Sequence, residues 1–182
     1  LIQLATLAVA TAKKAGGDTI CQYELHMLDE EKRMLELRTQ FFAAMDTGRI
    51  KLYFQAIQPL TSGAPVSFEA LMRWRRLDGN LWSPGEFSSL FADDAVMREI
   101  GVFVVTTAIK QIESWTQSGL PFHHIAINAA GPDLRSDSYL QIIRSAIADG
   151  RIQPHQLCVE ITEGMLLDRQ SRQVREAIDQ LH

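Results

Sequence analysis

The sequence predicts an α/β fold that begins with an antiparallel strand pair and continues with parallel strands joined by helices. Three observations favour this fold. From residue 51 onward, short apolar runs of strand length alternate with longer segments of helical period. The turn-forming sequence "TSGAP" separates the first two strand-like runs closely enough for a hairpin. Carboxylate or amide side chains stand in or at the end of three strands, where parallel barrels place their active sites.

Upstream of this alternation, two helices and a short strand are predicted. Residues 1–15, "LIQLATLAVATAKKA", are rich in Ala and Leu and end in lysines, which suit a helix C-terminus. Residues 19–24, "TICQYE", are typical of a short strand. Asp29 is a candidate cap for a second helix that runs to about Asp46 and ends at Gly48. Its position and charge are those of a linker between domains.

The elements after residue 50 follow from local signals. "KLYFQAIQPL" and "VSFEALMRWR" predict the antiparallel hairpin, and Asp78-Gly79 marks a further turn. Ser83-Pro84-Gly85-Glu86 has the cap, the proline and the glutamate of a helix start. The remaining predicted elements alternate along the chain: helix 94–117, strand 123–128, helix 137–149, strand 157–162 and helix 168–182.

The second strand of the hairpin carries charged residues on one face. Side chains alternate between the two faces of a strand. Glu69 and Arg73 therefore point one way, together with Leu71, whereas Ala70 and Met72 point the other way. Because an unpaired buried charge is costly, we expect Glu69 and Arg73 to have partners.

Three strands carry oxygen ligands that the fold would bring together. Glu69 lies in the first of these strands, Asn128 ends the second, and Glu160 lies near the end of the third. Carboxylate and amide oxygens suit Mg²⁺ or Mn²⁺ better than zinc. The alternative interpretation is structural: Glu69 pairs with Arg73, and Asn128 caps the helix that follows it.

Composition excludes several function classes. The 182 residues carry a net charge of -4, so the basic stripe of a DNA- or RNA-binding protein is not expected. No run of ~18 or more apolar residues predicts a membrane-spanning helix in this chain, and its first residues do not have the pattern of a signal peptide. Cys21 and Cys158 lie far apart without metal-ligand spacing, which indicates two free thiols in a reducing compartment.

The segment "FEALMRW" resembles the signature of the EAL domain, the bacterial phosphodiesterase domain that hydrolyses cyclic di-GMP. "AIN" followed by "PDL" is similar to the second motif of that family, and "VEITEGMLL" is similar to the third. The spacing between the three motifs also fits, and the resemblance covers roughly residues 38–182. It implies the N-terminal part of a TIM-like (β/α) barrel with an antiparallel first strand.

The resemblance also implies a chemistry and a set of site residues. The reaction would be hydrolysis of cyclic di-GMP to linear pGpG at a two-metal site that holds Mg²⁺ or Mn²⁺. Arginine suits a substrate phosphate because its planar fork donates two hydrogen bonds. The implied roles are metal binding for Glu69, Asn128 and Glu160, catalysis for Glu69 and Glu163, and substrate contact for Gln55 and Arg73.

The N-terminal segment resembles a second family. "LAVATAKKAGGDTICQYE" is similar to the final helix and strand of a GGDEF domain, which has the diguanylate cyclase fold. The letters "GGD" at 16–18 are not the signature itself, because Thr19-Ile20 stand where Glu-Phe is needed. The two resemblances imply a C-terminal GGDEF remnant at 1–28, a linker helix at 29–48 and the N-terminal part of an EAL domain at 49–182, with the chain truncated at both ends.

Two functions follow from the resemblance. The first is a cyclic di-GMP phosphodiesterase in the intact parent protein, with the present chain inactive because further family ligands would follow His182. The alternative is an inactive EAL domain that acts as a cyclic di-GMP receptor or signalling interaction module. The implied partner is cyclic di-GMP, with a homodimer left open. The implied location is the bacterial cytoplasm, either alone or as the cytoplasmic part of a larger sensor.

Overall fold

A computed structural model describes residues 2–14, 16–162, 165 and 171–181. The chain divides into two compact units, Leu1–Thr47 and Gly48–His182. Within the described residues, no helix combines the length and the apolar character needed to cross a bilayer.

The first unit is helical. Helix α1 spans Ile2–Lys14, which confirms the predicted first helix, and α2 spans Leu25–Asp46. Helix α2 begins four residues before the predicted cap at Asp29, and it ends as expected, with the N–H of Thr47 bonded to the carbonyl of Ala43 at 3.2 Å.

The predicted strand at 19–24 is wrong. The backbone is irregular from Ile20 to Glu24, and Ile20 is 99% exposed. A strand is stable only when a neighbouring strand satisfies its backbone groups. The described part of the first unit contains helices and no strand. The segment "TICQYE" therefore has no neighbour to pair with, although its β-branched residues favour a strand.

The second unit is built on one mixed sheet. Its strands are β1 (Ile50–Ile57), β2 (Ser67–Arg75), β3 (Leu81–Trp82), β4 (Ile125–Asn128) and β5 (Leu157–Glu160). The strand order is β1-β2-β4-β5, and the short β3 pairs with β2. The β1–β2 pair is antiparallel, whereas β2–β4 and β4–β5 are parallel. The predicted hairpin and parallel strands are confirmed.

Helices follow the strands of the sheet along the chain. They are α3 (Asp94–Gln117), α4 (Gly131–Leu134), α5 (Asp137–Ala148) and α6 (Ser171–Leu181), with 3₁₀ helices at Pro84–Ala92 and Pro154–Gln156. The predicted start at Ser83 is present as a capping box, in which the Glu86 carboxylate accepts a hydrogen bond from the backbone N–H of Ser83 and a second one, at 2.9 Å, from its hydroxyl. The predicted helix 94–117 begins after Asp93, whose side chain accepts a hydrogen bond from the N–H of Ala95 at 2.8 Å.

One face of the sheet packs against α3. The Trp115 ring of α3 lies 4.8 Å from the ring of Phe68 and 5.2 Å from the ring of Phe54, centroid to centroid. Further along β2, Ala70 and Met72 are buried on the same side. The opposite face of β2 is therefore the one that presents Glu69 and Arg73, as the alternation predicts.

Candidate metal and substrate site

Strand register places the candidate residues on a single face of the sheet. Gln55 lies directly opposite Glu69 in the β1–β2 pair, and Glu69 is level with Ala126 of β4. Asn128, two residues further along β4, is level with Glu160 of β5. Residues in register on neighbouring strands share a face. Four polar side chains from four strands therefore lie near one another on this face, beside the ends of β4 and β5.

A direct contact joins two of these residues. The Asn128 amide donates a hydrogen bond from Nδ2 to Glu69 Oε1 at 2.9 Å. Glu69 is half-buried, whereas Asn128 and Glu160 are exposed as the last residues of their strands. Asn128 and Glu160 thus lie where β4 and β5 end, next to Glu69 within β2, on a face open to solvent.

The structural alternative suggested by the sequence does not describe this arrangement. Arg73 donates from Nη1 to the backbone carbonyl of Met72 at 2.8 Å rather than to Glu69. Helix α4 is capped at Ala130, and the Asn128 side chain is directed to Glu69. Glu69 is therefore not engaged by Arg73, and Asn128 is not engaged as a helix cap. Both are available for another role.

The donor set fits a hard cation. Two carboxylates and one amide oxygen are the ligand types that Mg²⁺ and Mn²⁺ prefer. Within the described ranges, no three His, Cys, Asp or Glu side chains are grouped as a metal ion would need them. Glu69, Asn128 and Glu160 could supply two acidic ligands and one neutral ligand to such a cation.

Glu163 lies outside the described residues. The last described position before it is Thr162, which follows β5 and is exposed. The structure brings together Gln55, Glu69, Asn128 and Glu160, and it places Arg73 on the same face four residues further along β2.

A buried carboxyl in α4 was not predicted from the sequence. Asp133 of α4 is 2% exposed, and its Oδ2 accepts a hydrogen bond from the N–H of Ala130 at 2.8 Å. Burial raises the pKa of Asp133 to about 6, against the opposing effects of the Ala130 hydrogen bond and of Arg135. The three-residue spacing from Ala130 to Asp133, typical of a helix cap, is the signal that could have revealed it. Asp133 fixes the loop that directly follows Asn128.

A free thiol lies on the same face of the sheet. Cys158 is half-buried and is level with Ala126 of β4. Burial raises the pKa of the Cys158 thiol, and the Glu160 carboxylate adds to this effect. The thiol form is thereby favoured, in agreement with the inert role expected of a small buried side chain.

Comparison with known proteins extends these observations. The model of the EAL domain family matches residues 37–182. Over 159 residues the chain is 26% identical to the bifunctional diguanylate cyclase/cyclic di-GMP phosphodiesterase MucR of Pseudomonas aeruginosa, covering 87% of this chain and 23% of that protein. It is 29% identical over 125 residues to the probable cyclic di-GMP phosphodiesterase PdeB of Escherichia coli, covering 69% of this chain and 24% of that protein. The chain thus spans about a quarter of the length of these curated relatives.

Solved structures share the fold. The EAL enzyme Bd1971, in a form with cAMP and cyclic di-GMP bound, aligns with a TM-score of 0.72 at 18% identity, covering 99% of this chain and 47% of that one. The MucR phosphodiesterase in complex with cyclic di-GMP aligns with a TM-score of 0.69 at 24% identity, covering 80% of this chain and 59% of that one. At these identities the likeness is one of fold.

Proposed function

Because the chain belongs to the EAL domain family, we propose that the intact protein hydrolyses cyclic di-GMP to linear pGpG. The observation that carries this proposal is that Glu69, Asn128 and Glu160 lie on one face of the sheet, with Asn128 and Glu160 at the ends of β4 and β5 and Asn128 hydrogen-bonded to Glu69 of β2. Relatives named as cyclic di-GMP phosphodiesterases support it.

In this proposal Glu69, Asn128 and Glu160 hold Mg²⁺ or Mn²⁺. When bound, such an ion supplies Lewis-acid polarisation of the phosphodiester and makes a bound water more acidic. Asn128 now directs its amide nitrogen at Glu69. To coordinate a cation, Asn128 must present its amide oxygen instead. This needs only a rotation of the amide group about the Cβ–Cγ bond. The Glu69 oxygen released by that rotation then becomes available to the same cation.

The positions of Gln55 and Arg73 support the substrate contacts proposed for them. Gln55 lies across the β1–β2 pair from Glu69 and is exposed, so its amide can reach a group bound there. Arg73 stands four residues beyond Glu69 on the same face of β2. A guanidinium there can donate two parallel hydrogen bonds to a phosphate of the bound substrate. We propose Glu163 as the residue that steadies the loop after β5.

Turnover by the full-length protein tests the proposal. Cyclic di-GMP is incubated with Mg²⁺ or Mn²⁺ and the products are separated by chromatography, with pGpG expected. Glu69→Gln removes the charge and keeps the shape, and it should lower kcat by roughly 10² or more, as for loss of one electrostatic stabiliser of the transition state. The matched control is Glu99→Gln, at an exposed position on α3, which should leave kcat unchanged.

The outcomes separate the two functions considered for this family. Binding of cyclic di-GMP without formation of pGpG would identify a receptor and reject the hydrolase. Absence of both binding and turnover would reject both. Turnover that Glu69→Gln leaves intact would show that the site lies elsewhere.

We also propose that residues 1–28 derive from the end of a GGDEF domain, that 29–48 link it to the EAL domain at 49–182, and that the chain is a part of a longer protein. Helix α1 and the match to a bifunctional cyclase/phosphodiesterase over 87% of the chain support this organisation. Formation of cyclic di-GMP from GTP by the full-length protein would test the upstream assignment.

Sedimentation of the same protein would test the proposed homodimer. Fractionation of the cells that express it would test the proposed cytoplasmic location.

A further inference from the structure

The β1–β2 ribbon extends past the end of its parallel neighbour. The pairing of β2 with β4 begins at Phe68 and ends at Ala70, which is level with Ile127. It then continues to Arg75, paired along its length with β1 and at its end with β3. The ribbon therefore projects beyond the strand ends that carry Asn128 and Glu160, and it forms a wall beside the candidate site.

The wall is basic on the face that carries Glu69. Lys51 of β1 lies directly opposite Arg73 of β2, so two positive charges face each other across the strand pair. Arg75 lies on the same face, two residues further along, and donates from Nη2 to the Tyr53 hydroxyl at 3.3 Å. Like charges directly opposite each other destabilise a strand pair. This pairing therefore favours a role in binding over a role in stability.

Acidic side chains do not neutralise these cations in the described part of the chain. Arg73 bonds to the carbonyl of Met72, Arg75 bonds to Tyr53, and neither forms an ion pair with a described carboxylate. Lys51 is exposed and makes no side-chain hydrogen bond or ion pair with a described residue. The three side chains line a single hollow, together with Gly48, Arg49, Tyr53 and Leu81. A hollow lined in this way attracts an anion.

The hollow and the metal end of the site lie on one continuous face. From Glu69 to Arg73 the strand advances four residues, or about 13 Å between Cα atoms. The pair between them is Tyr53 and Leu71, an aromatic and an aliphatic side chain that leave the path between the two ends free of charge. One elongated substrate with two anionic groups can therefore contact both ends.

We propose that Lys51 and Arg75 complete, with Arg73, a second phosphate subsite, which holds the phosphate of cyclic di-GMP that is not cleaved. The inference rests on the proposed function, in which the phosphate that is cleaved lies at Glu69, Asn128 and Glu160. Lys51 and Arg75 are substrate-binding residues in this scheme, and they set the affinity for a substrate that carries two phosphates. A substrate with a single phosphodiester gains nothing from them.

The test compares two substrates in the full-length protein. Lys51→Met keeps the length of the side chain and removes its charge. It should raise KM for cyclic di-GMP about tenfold, the effect of losing one charge-assisted hydrogen bond, with kcat within about twofold of the wild type. KM for bis(p-nitrophenyl) phosphate, which has one phosphodiester, should not change. Lys51→Arg should restore KM, and Arg75→Met should act as Lys51→Met does.

Lys110→Met is the matched control, since Lys110 is an exposed lysine of α3, away from the β1–β2 ribbon. Equilibrium binding of cyclic di-GMP in EDTA provides a readout without turnover, and Lys51→Met should weaken it by the same factor.

An unchanged KM and Kd in Lys51→Met would overturn the inference and would leave the proposed hydrolase activity unaffected. An equal loss with both substrates would also overturn it. Binding without hydrolysis in the wild type would reject the hydrolase, and the EDTA measurement would still decide the subsite. A wild type that neither binds nor hydrolyses cyclic di-GMP would reject both.

Discussion

Asn128 and Glu69 are separated by 59 positions in the chain, yet the amide of the first donates a 2.9 Å hydrogen bond to the carboxylate of the second. The contact exists because β4 pairs in parallel with β2, with Ala126 level with Glu69, so that both side chains emerge on the same face. A shift of one residue in that register would send Asn128 to the opposite face. The site therefore depends on strand pairing as much as on the identity of its residues.

Asn128→Ala should weaken the response of the protein to metal. A ligand that binds only the folded state raises Tm, and the rise depends on its affinity. We expect Mn²⁺ to raise Tm of the wild type and to raise that of Asn128→Ala by less than half as much, because the substitution removes one of the three proposed oxygen ligands. Thermal unfolding followed by circular dichroism across a Mn²⁺ titration measures this. Asn80→Ala removes an exposed amide from a turn and serves as the control. Equal shifts in all three proteins would exclude Asn128 as a ligand.

The sequence predicts most of the second unit because its local signals agree with its tertiary contacts. The hairpin, α3 and the strand ends at Asn128 and Glu160 all follow from periodicity and turn residues. The strand predicted at 19–24 fails because pairing requires a neighbour, which local composition does not report. The two-residue β3 is too short for any periodic signal.

Local sequence patterns also do not reveal that an acidic side chain is buried. Asp133 resembles an ordinary helix-capping residue in the sequence, and only the packing of α3 against α4 places its carboxyl out of water. The basic wall has the same origin. Lys51 and Arg73 become a pair only through the register of β1 and β2.

Gly101→Ala should destabilise the second unit. A methyl group on Gly101 of α3 would overlap the Asp133 carboxyl, which is buried and bonded to Ala130 and so has little room to move. Overpacking of this kind costs about 1–3 kcal/mol. Urea unfolding of the two proteins measures the difference. Gly85→Ala is the matched control, because a methyl group there meets no atom within 4 Å. Equal stability of Gly101→Ala and the wild type would show that α4 moves freely away from α3.

Arg76 should stabilise the turn at the end of β2 through two aromatic rings. Its guanidinium carbon lies 4.3 Å from the ring centroid of Trp74 and 4.3 Å from that of Trp82. Arg76→Leu keeps apolar bulk and removes the cation, and it should lower the free energy of unfolding by about 1 kcal/mol. Arg76→Lys should recover part of this loss. Urea unfolding provides the measurement, with Arg98→Leu at an exposed position of α3 as the control. A loss no greater than that of the control would mean that the stacking contributes nothing.

Asp133 should make the stability of the second unit fall as pH rises from about 4 to about 6. Burial raises its folded-state pKa to about 6, from an ordinary value of 3.8. Between these values the folded state binds the proton and the unfolded state has released it, so the free energy of unfolding decreases with pH and levels off above pH 6. The loss is on the order of 2–3 kcal/mol, since each unit of pKa difference corresponds to about 1.4 kcal/mol.

The groups that surround Asp133 determine how this dependence should be tested. Arg135 opposes the rise in pKa, and the buried Tyr139 hydroxyl, whose own pKa is raised by burial and by Asp133, stays neutral throughout this range. Asp133→Asn keeps an acceptor for the Ala130 N–H and cannot ionise, so its stability should vary less between pH 4 and pH 6 than that of the wild type. Asp137→Asn, at an exposed position in the first turn of α5, should keep the wild-type slope. Urea unfolding at intervals of half a pH unit measures the slopes. If Asp133→Asn and the wild type have parallel curves, Asp133 is ionised in the folded protein well below pH 6, and another group must account for any loss of stability in this range.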